Sequence, residues 1–136
     1  MAEPAPGLDP SNPVVRLCLE GTAAEFEGRI ANARLSYQQA WERAENHAEA
    51  CMAAHYRARL EPDPTEALAW DVEALRRAEA APAESVAPFY PSLHLALGSS
   101  LERVGRSVEA QAHYDRAAAL GVPHQRPGLR RERRSP

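Results

Sequence analysis

The sequence predicts an all-α protein made of three helical hairpins laid side by side, and three observations carry that prediction. Apolar or small residues recur at three- and four-residue steps, at Leu95, Gly98, Leu101 and Val104 and again at Ala110, Tyr114, Ala117 and Ala118. That is the period of a stripe along one face of a helix. Gly105 separates the two stripes, so the stretch 91–120 reads as two short helices joined by a turn. The same places recur upstream: Ala67 follows Ala33 by 34 residues, Ala74 follows Ala40 by 34 and His55 follows Gly21 by 34. From Ala67 to Ala110 the step is 43, which is 34 plus a nine-residue insert in the run APAESVAPF, residues 82–90. The hairpins therefore occupy 14–47, 48–81 and 91–124.

Taken in order, residues 1–11 contain three prolines and little that packs, which predicts a mobile lead-in. The first helix starts with Asn12 as N-cap and Pro13 in the first turn, where its missing N–H costs nothing. Its inward stripe is Val14, Leu17, Cys18, Gly21 and Ala24, with Gly21 placed to let the partner helix come close. Gly28 makes the turn, and the second helix, about 29–44, turns Ile30, Ala33, Tyr37, Ala40, Trp41 and Ala44 inward.

No glycine or proline marks the next boundary, so residues 29–60 are either one long helix or two. Asn46 with Glu49 three residues on matches a capping box and favours a break there. Pro62 and Pro64 end the third helix, and Asp63 caps a fourth that carries Ala67, Trp70, Asp71, Ala74, Leu75 and Ala78. Asp71 stands where the other hairpins have Tyr37 and Tyr114, so its carboxylate belongs at a rim or beside an arginine. The insert 82–90, with Pro82 and Pro88, either displaces the third hairpin or lengthens a loop. Gly121 and Pro123 end the last helix, and residues 125–136 are expected to be a disordered basic tail.

Charge divides along the chain. All 16 basic residues are arginine, and Arg126, Arg130, Arg131, Arg133 and Arg134 against Glu132 give the last eleven residues +4. The remaining 125 residues carry 11 arginines against 18 acids, or −7. No apolar run approaches the roughly 18 residues that a membrane span needs, and the first ten residues lack the pattern of a secretion signal. With two cysteines and no disulfide framework, the expected compartment is the cytoplasm.

Leu97, Gly98, Ala110, Tyr114 and Ala117 fall where the tetratricopeptide repeat has its Leu-Gly pair, its small residue, its aromatic and its second small residue. The chain resembles that family over about 111 residues, most closely in the third hairpin and least in the second, where His55 and Asp71 depart from the pattern. The resemblance implies a short right-handed α-α superhelix with no obvious C-terminal capping helix. Its bare end suits a second copy of the chain, hence a possible homodimer, or a larger partner. It also implies a concave groove lined by the first helix of each repeat: Cys18, Thr22, Glu25 and Phe26 in the first, Glu49, Met52, Tyr56 and Arg59 in the second, Ser92, Leu95, Ser99 and Glu102 in the third. Such a groove suits an extended peptide or a helix with an apolar anchor. The places of the family's carboxylate clamp for chaperone tails hold Cys18, Thr22, Ala53, Ser92 and Ala96, none of which grips a carboxylate in that way.

Little else points to chemistry. His47, Cys51 and His55, with His94 in the next hairpin, are zinc-compatible types, but the first three span about 12 Å of helix, too far for one ion. No metal and no cofactor is expected. No phosphate loop, nucleophile elbow or His-Glu-x-x-His is present, so no catalytic residues are expected. Arg130, Arg131, Arg133 and Arg134 could meet nucleic-acid phosphate, but no aromatics are interleaved for base stacking, and the acidic body would repel a phosphate backbone. The expected function is non-catalytic protein binding. A nucleic-acid-associated regulator and a self-associating structural subunit are the alternatives.

Overall fold

The computed structural model describes residues 9–121, and every regular element among them is helical. α1 spans Pro13–Phe26, α2 Ile30–Arg43, α3 His47–Arg59, α4 Pro64–Ala80, α5 Ala83–Val86, α6 Tyr90–Arg103 and α7 Ser107–Ala119. A 3-10 turn at Ala87–Phe89 connects α5 to α6. Pairs α1–α2, α3–α4 and α6–α7 form hairpins, α2 packs on α3, and α4 packs on α6. The expected lead-in falls mostly on residues 1–8, and the expected basic tail, 125–136, falls wholly outside the described residues. At the start of the described chain Asp9 already closes a turn, its carbonyl accepting from Asn12 N at 3.0 Å.

Caps set the boundaries. Asn12 Oδ1 accepts from the amides of Val14 at 2.8 Å and Val15 at 3.2 Å, and Asp63 Oδ1 accepts from Thr65 N at 3.0 Å. Residues 29–60 are two helices, broken at Ala44–Asn46, because Asn46 Oδ1 takes up the Glu49 amide at 2.8 Å. Glu49 does not close the expected box on Asn46. Its carboxylate accepts instead from the Glu45 amide at 2.9 Å and from Asn12 Nδ2 at 2.8 Å, which ties α1 to α3. Gly28 and Gly105 make the hairpin turns at φ of +79° and +86°, a conformation that a β-carbon disfavours.

The outer hairpins are closed by the same device. A β-carbon built on Gly21 would lie 2.3 Å from the Tyr37 ring, and one on Gly98 would lie 2.5 Å from the Tyr114 ring. Each tyrosine hydroxyl donates to a carboxylate at 2.6 Å, Tyr37 to Glu25 and Tyr114 to Glu102. The middle hairpin, shifted by 34 residues from the first, has His55, Asp71 and Arg59 in these three places. Arg59 reaches back to Glu25, with Nη2 to Oε2 at 3.0 Å, and Asp71 accepts from the Ser100 hydroxyl of α6. Arg59 and Asp71 thus bond to the neighbouring hairpins.

Of the two readings of the insert the lengthened loop is set aside, and one inward assignment fails. The insert 82–90 is no loop: Val86 is fully buried against Cys51, Ala74, Ala78 and Leu93, and the insert runs straight into α6, which begins at Tyr90. Its prolines sit at the N-cap of α5 and inside the 3-10 turn, where no helical amide is lost. Ile30, assigned to the inward stripe, is 45 % exposed, because as the first residue of α2 it lies at the mouth of the hairpin.

Candidate functional site

α1 packs on α3, but α6 reaches the body through α4, and α3 and α6 are left as two walls of a cavity. The cavity holds about 140 Å³ and is lined by Cys51, Met52, His55 and Tyr56 of α3 and by Phe89, Ser92 and Leu93 at the start of α6. Its place follows from the insert: Val86 anchors the connection on the α3–α4 core, and the 3-10 turn then carries Phe89 to the rim.

No charged side chain lines it at neutral pH. Burial pushes the Cys51 thiol up to about 12, so it stays protonated and inert as a nucleophile. Burial, helped by the charge of Arg59, pulls the His55 imidazole down to about 4, so it stays neutral. His55 Nδ1 is buried without a hydrogen-bond partner among the described residues, a cost accepted where the outer hairpins have glycine. Tyr56 packs beside Tyr37 at 5.2 Å between ring centroids and beside His55 at 5.6 Å.

Of the residues assigned to the groove, Met52, Tyr56 and Ser92 come together on this cavity. Thr22, Glu25 and Arg59 form a second cluster at the other end of α3. Thr22 Oγ1 donates to the Cys18 carbonyl at 2.9 Å and lies 3.3 Å from Tyr37 Oη, while Glu25 takes both Tyr37 and Arg59. Burial works to raise the Glu25 carboxyl, but its bonds to Arg59 and Tyr37 outweigh burial and hold it below the usual range. Glu102 serves its own tyrosine in the same manner, and Ser99 is exposed on α6.

Three of the assigned residues stand apart from this cavity. Glu49 is buried and spent on capping α3 and holding Asn12. Leu95 is only partly buried and packs against the α6–α7 core of Leu97, Leu101, Ala110 and Tyr114. Phe26 is 88 % exposed at the last position of α1, beside the turn and away from the cavity. Conversely, sequence reasoning missed Phe89 and Leu93, because the insert read as a spacer. Its only signal was a phenylalanine at the edge of a proline-rich run.

The four zinc-compatible residues do not converge. His47 Nδ1 lies 3.3 Å from Arg77 Nη1, and His94 meets His113 with 3.0 Å between their Nδ1 atoms. Among the described residues no group of three potential ligands surrounds a common point. A larger cavity of about 270 Å³ opens between α2 and α3 and is lined by Arg34, Arg57, Leu60 and Glu61, among others. It is polar and more open to solvent, and Arg34 and Glu61 face each other across it at 3.8 Å. No helix among the described residues is long and apolar enough to cross a membrane. Compared with protein-family models, with curated proteins and with solved structures, the chain matches none.

Proposed function

We propose that this chain is a non-catalytic protein-binding module, a short tetratricopeptide-like array that holds a peptide or helix of another protein along α1, α3 and α6. The single observation behind the reading is the neutral cavity between α3 and α6, where Met52, Tyr56 and Ser92 surround a space fit for one side chain. A cavity of roughly 150 Å³ accepts a molecule the size of benzene, and binding energy concentrates where such an anchor is buried. Further support comes from the succession of packed hairpins, each covering the apolar flank of the one before. The inert Cys51 thiol and the neutral, low-pKa His55 argue for binding over chemistry, since neither is poised to attack or to exchange protons near pH 7.

The test is selection of random linear peptides on the full chain. Enriched sequences should share one uncharged apolar residue, and binding should vanish with Ser92→Arg, an exposed position on the cavity wall whose replacement leaves the core intact. Selection that yields no binders, or binders indifferent to Ser92→Arg, would end the proposal.

A further inference from the structure

We propose that the side chain which anchors a partner in the cavity between α3 and α6 is a tyrosine, its hydroxyl oxygen accepting a hydrogen bond from Nε2 of His55. The inference rests on the reading of that cavity as a docking site and names its occupant. His55 stands on the cavity wall, and neither of its ring nitrogens has a hydrogen-bond partner among the described residues.

The two nitrogens differ in their surroundings. Nδ1 is sealed inside the protein, so the part of the ring that borders the cavity is the far edge, which carries Nε2. Burial and the charge of Arg59 keep the imidazole neutral near pH 7, so the ring holds one hydrogen on nitrogen. A sealed N–H without an acceptor is rare in folded proteins and costlier than a sealed lone pair, which puts the hydrogen on Nε2. The cavity therefore presents a donor to whatever enters it.

Size and lining choose among the acceptors. A carboxylate would have to shed its water against Met52, Tyr56, Phe89 and Leu93, with no charged side chain on the wall to receive it. Serine and threonine leave most of the 140 Å³ empty. Asparagine and glutamine bring two N–H groups to a mostly apolar wall. A phenol ring fills the space as benzene fills one of similar volume. Its oxygen then accepts from His55, and its own hydrogen passes to water or to the Ser92 hydroxyl at the exposed rim.

The probes are p-cresol and toluene, the side chains of tyrosine and phenylalanine without their backbones, each titrated into the full chain while the Met52 methyl resonance is followed. p-Cresol should bind at least about tenfold more tightly, because toluene covers the Nε2 hydrogen and leaves it unpaired. The imidazole nitrogen resonances of His55 should show hydrogen on Nε2 before either probe is added, and the Nε2 signal should move with p-cresol. In His55→Leu the preference for p-cresol should vanish while toluene still binds. Equal affinities in the native chain, no binding of p-cresol, hydrogen on Nδ1, or a preference that survives His55→Leu would each overturn the tyrosine. Toluene and p-cresol bound alike leave the docking reading standing, whereas a cavity that takes neither brings that reading down as well.

Discussion

Gly21 and Tyr37 meet so closely that the ring occupies the space where any other residue would place its β-carbon, and Gly98 and Tyr114 repeat the contact 77 residues later. Tyr37 and Tyr114 are both buried, so neither ring has room to withdraw. Alanine in place of either glycine favours the helix by about 1 kcal/mol, yet overpacking a closed core costs roughly 1–3 kcal/mol. Gly21→Ala and Gly98→Ala should each lower the urea midpoint. A rise in midpoint for either would show that the ring can move aside.

Asp71 and His55, side by side in the pattern of the middle hairpin, pull stability in opposite directions with pH. Burial raises the Asp71 carboxyl from its ordinary 3.8 to about 6, with the Ser100 bond and Arg103 opposing it. The buried site therefore disfavours the ionised form, and stability is lost as pH rises from about 4 through 6. His55 is lowered from 6.5 to about 4, so its contribution is complete above 6.5 and is lost as pH falls through 4. Asp71→Asn should stabilise the fold at pH 7 by on the order of 2–3 kcal/mol, and the gain should shrink toward pH 4. In that variant the acid loss caused by His55 stands alone. Urea titrations at pH 7, 5.5 and 4 check both slopes.

Glu25 and Arg59 bridge the first and second hairpins, but Arg59 is half exposed, so the pair itself contributes little. A double-mutant cycle should give a coupling below about 1 kcal/mol that fades in high salt. Glu25→Ala alone should cost more than Arg59→Ala, because it also strips the Tyr37 hydroxyl of its acceptor. Equal single-variant losses would contradict that ranking.

Val86 is a core residue inside what the repeat spacing treats as a spacer. Val86→Ala should cost about 2 kcal/mol, whereas Ala87→Ser, one residue on and exposed, should be neutral. Thermal unfolding distinguishes them, and equal melting temperatures would return the insert to the status of a loop.

The helices and their order were legible because alanine, glycine and tyrosine recur at fixed steps, and a stripe of small residues admits few packings. Gly21, Tyr37, Ala33, Ala67 and Ala110 all lie where their spacing places them. The cavity was only half legible. Met52, Tyr56 and Ser92 follow from the repeat, but Phe89 and Leu93 depend on how the insert turns, and nothing periodic encodes that. Glu49 and Leu95 stand off the cavity for a different reason: which way a residue at a stripe's edge points depends on the crossing of its neighbours. Glu49 is captured by Asn12, 37 residues earlier, and Leu95 by the α6–α7 core.

The meeting of His94 with His113 was equally invisible, since the two lie 19 residues apart on different helices. Their Nδ1 atoms are 3.0 Å apart while the ring centroids are 5.2 Å apart, which sets both nitrogens on the line between the rings. One of the two must carry hydrogen there and the other a lone pair. A single added proton can be shared along that line, but a second would set two cations nose to nose, so the rings must titrate as a couple and the outermost hairpin can accept one unit of charge at this seam before it has to open.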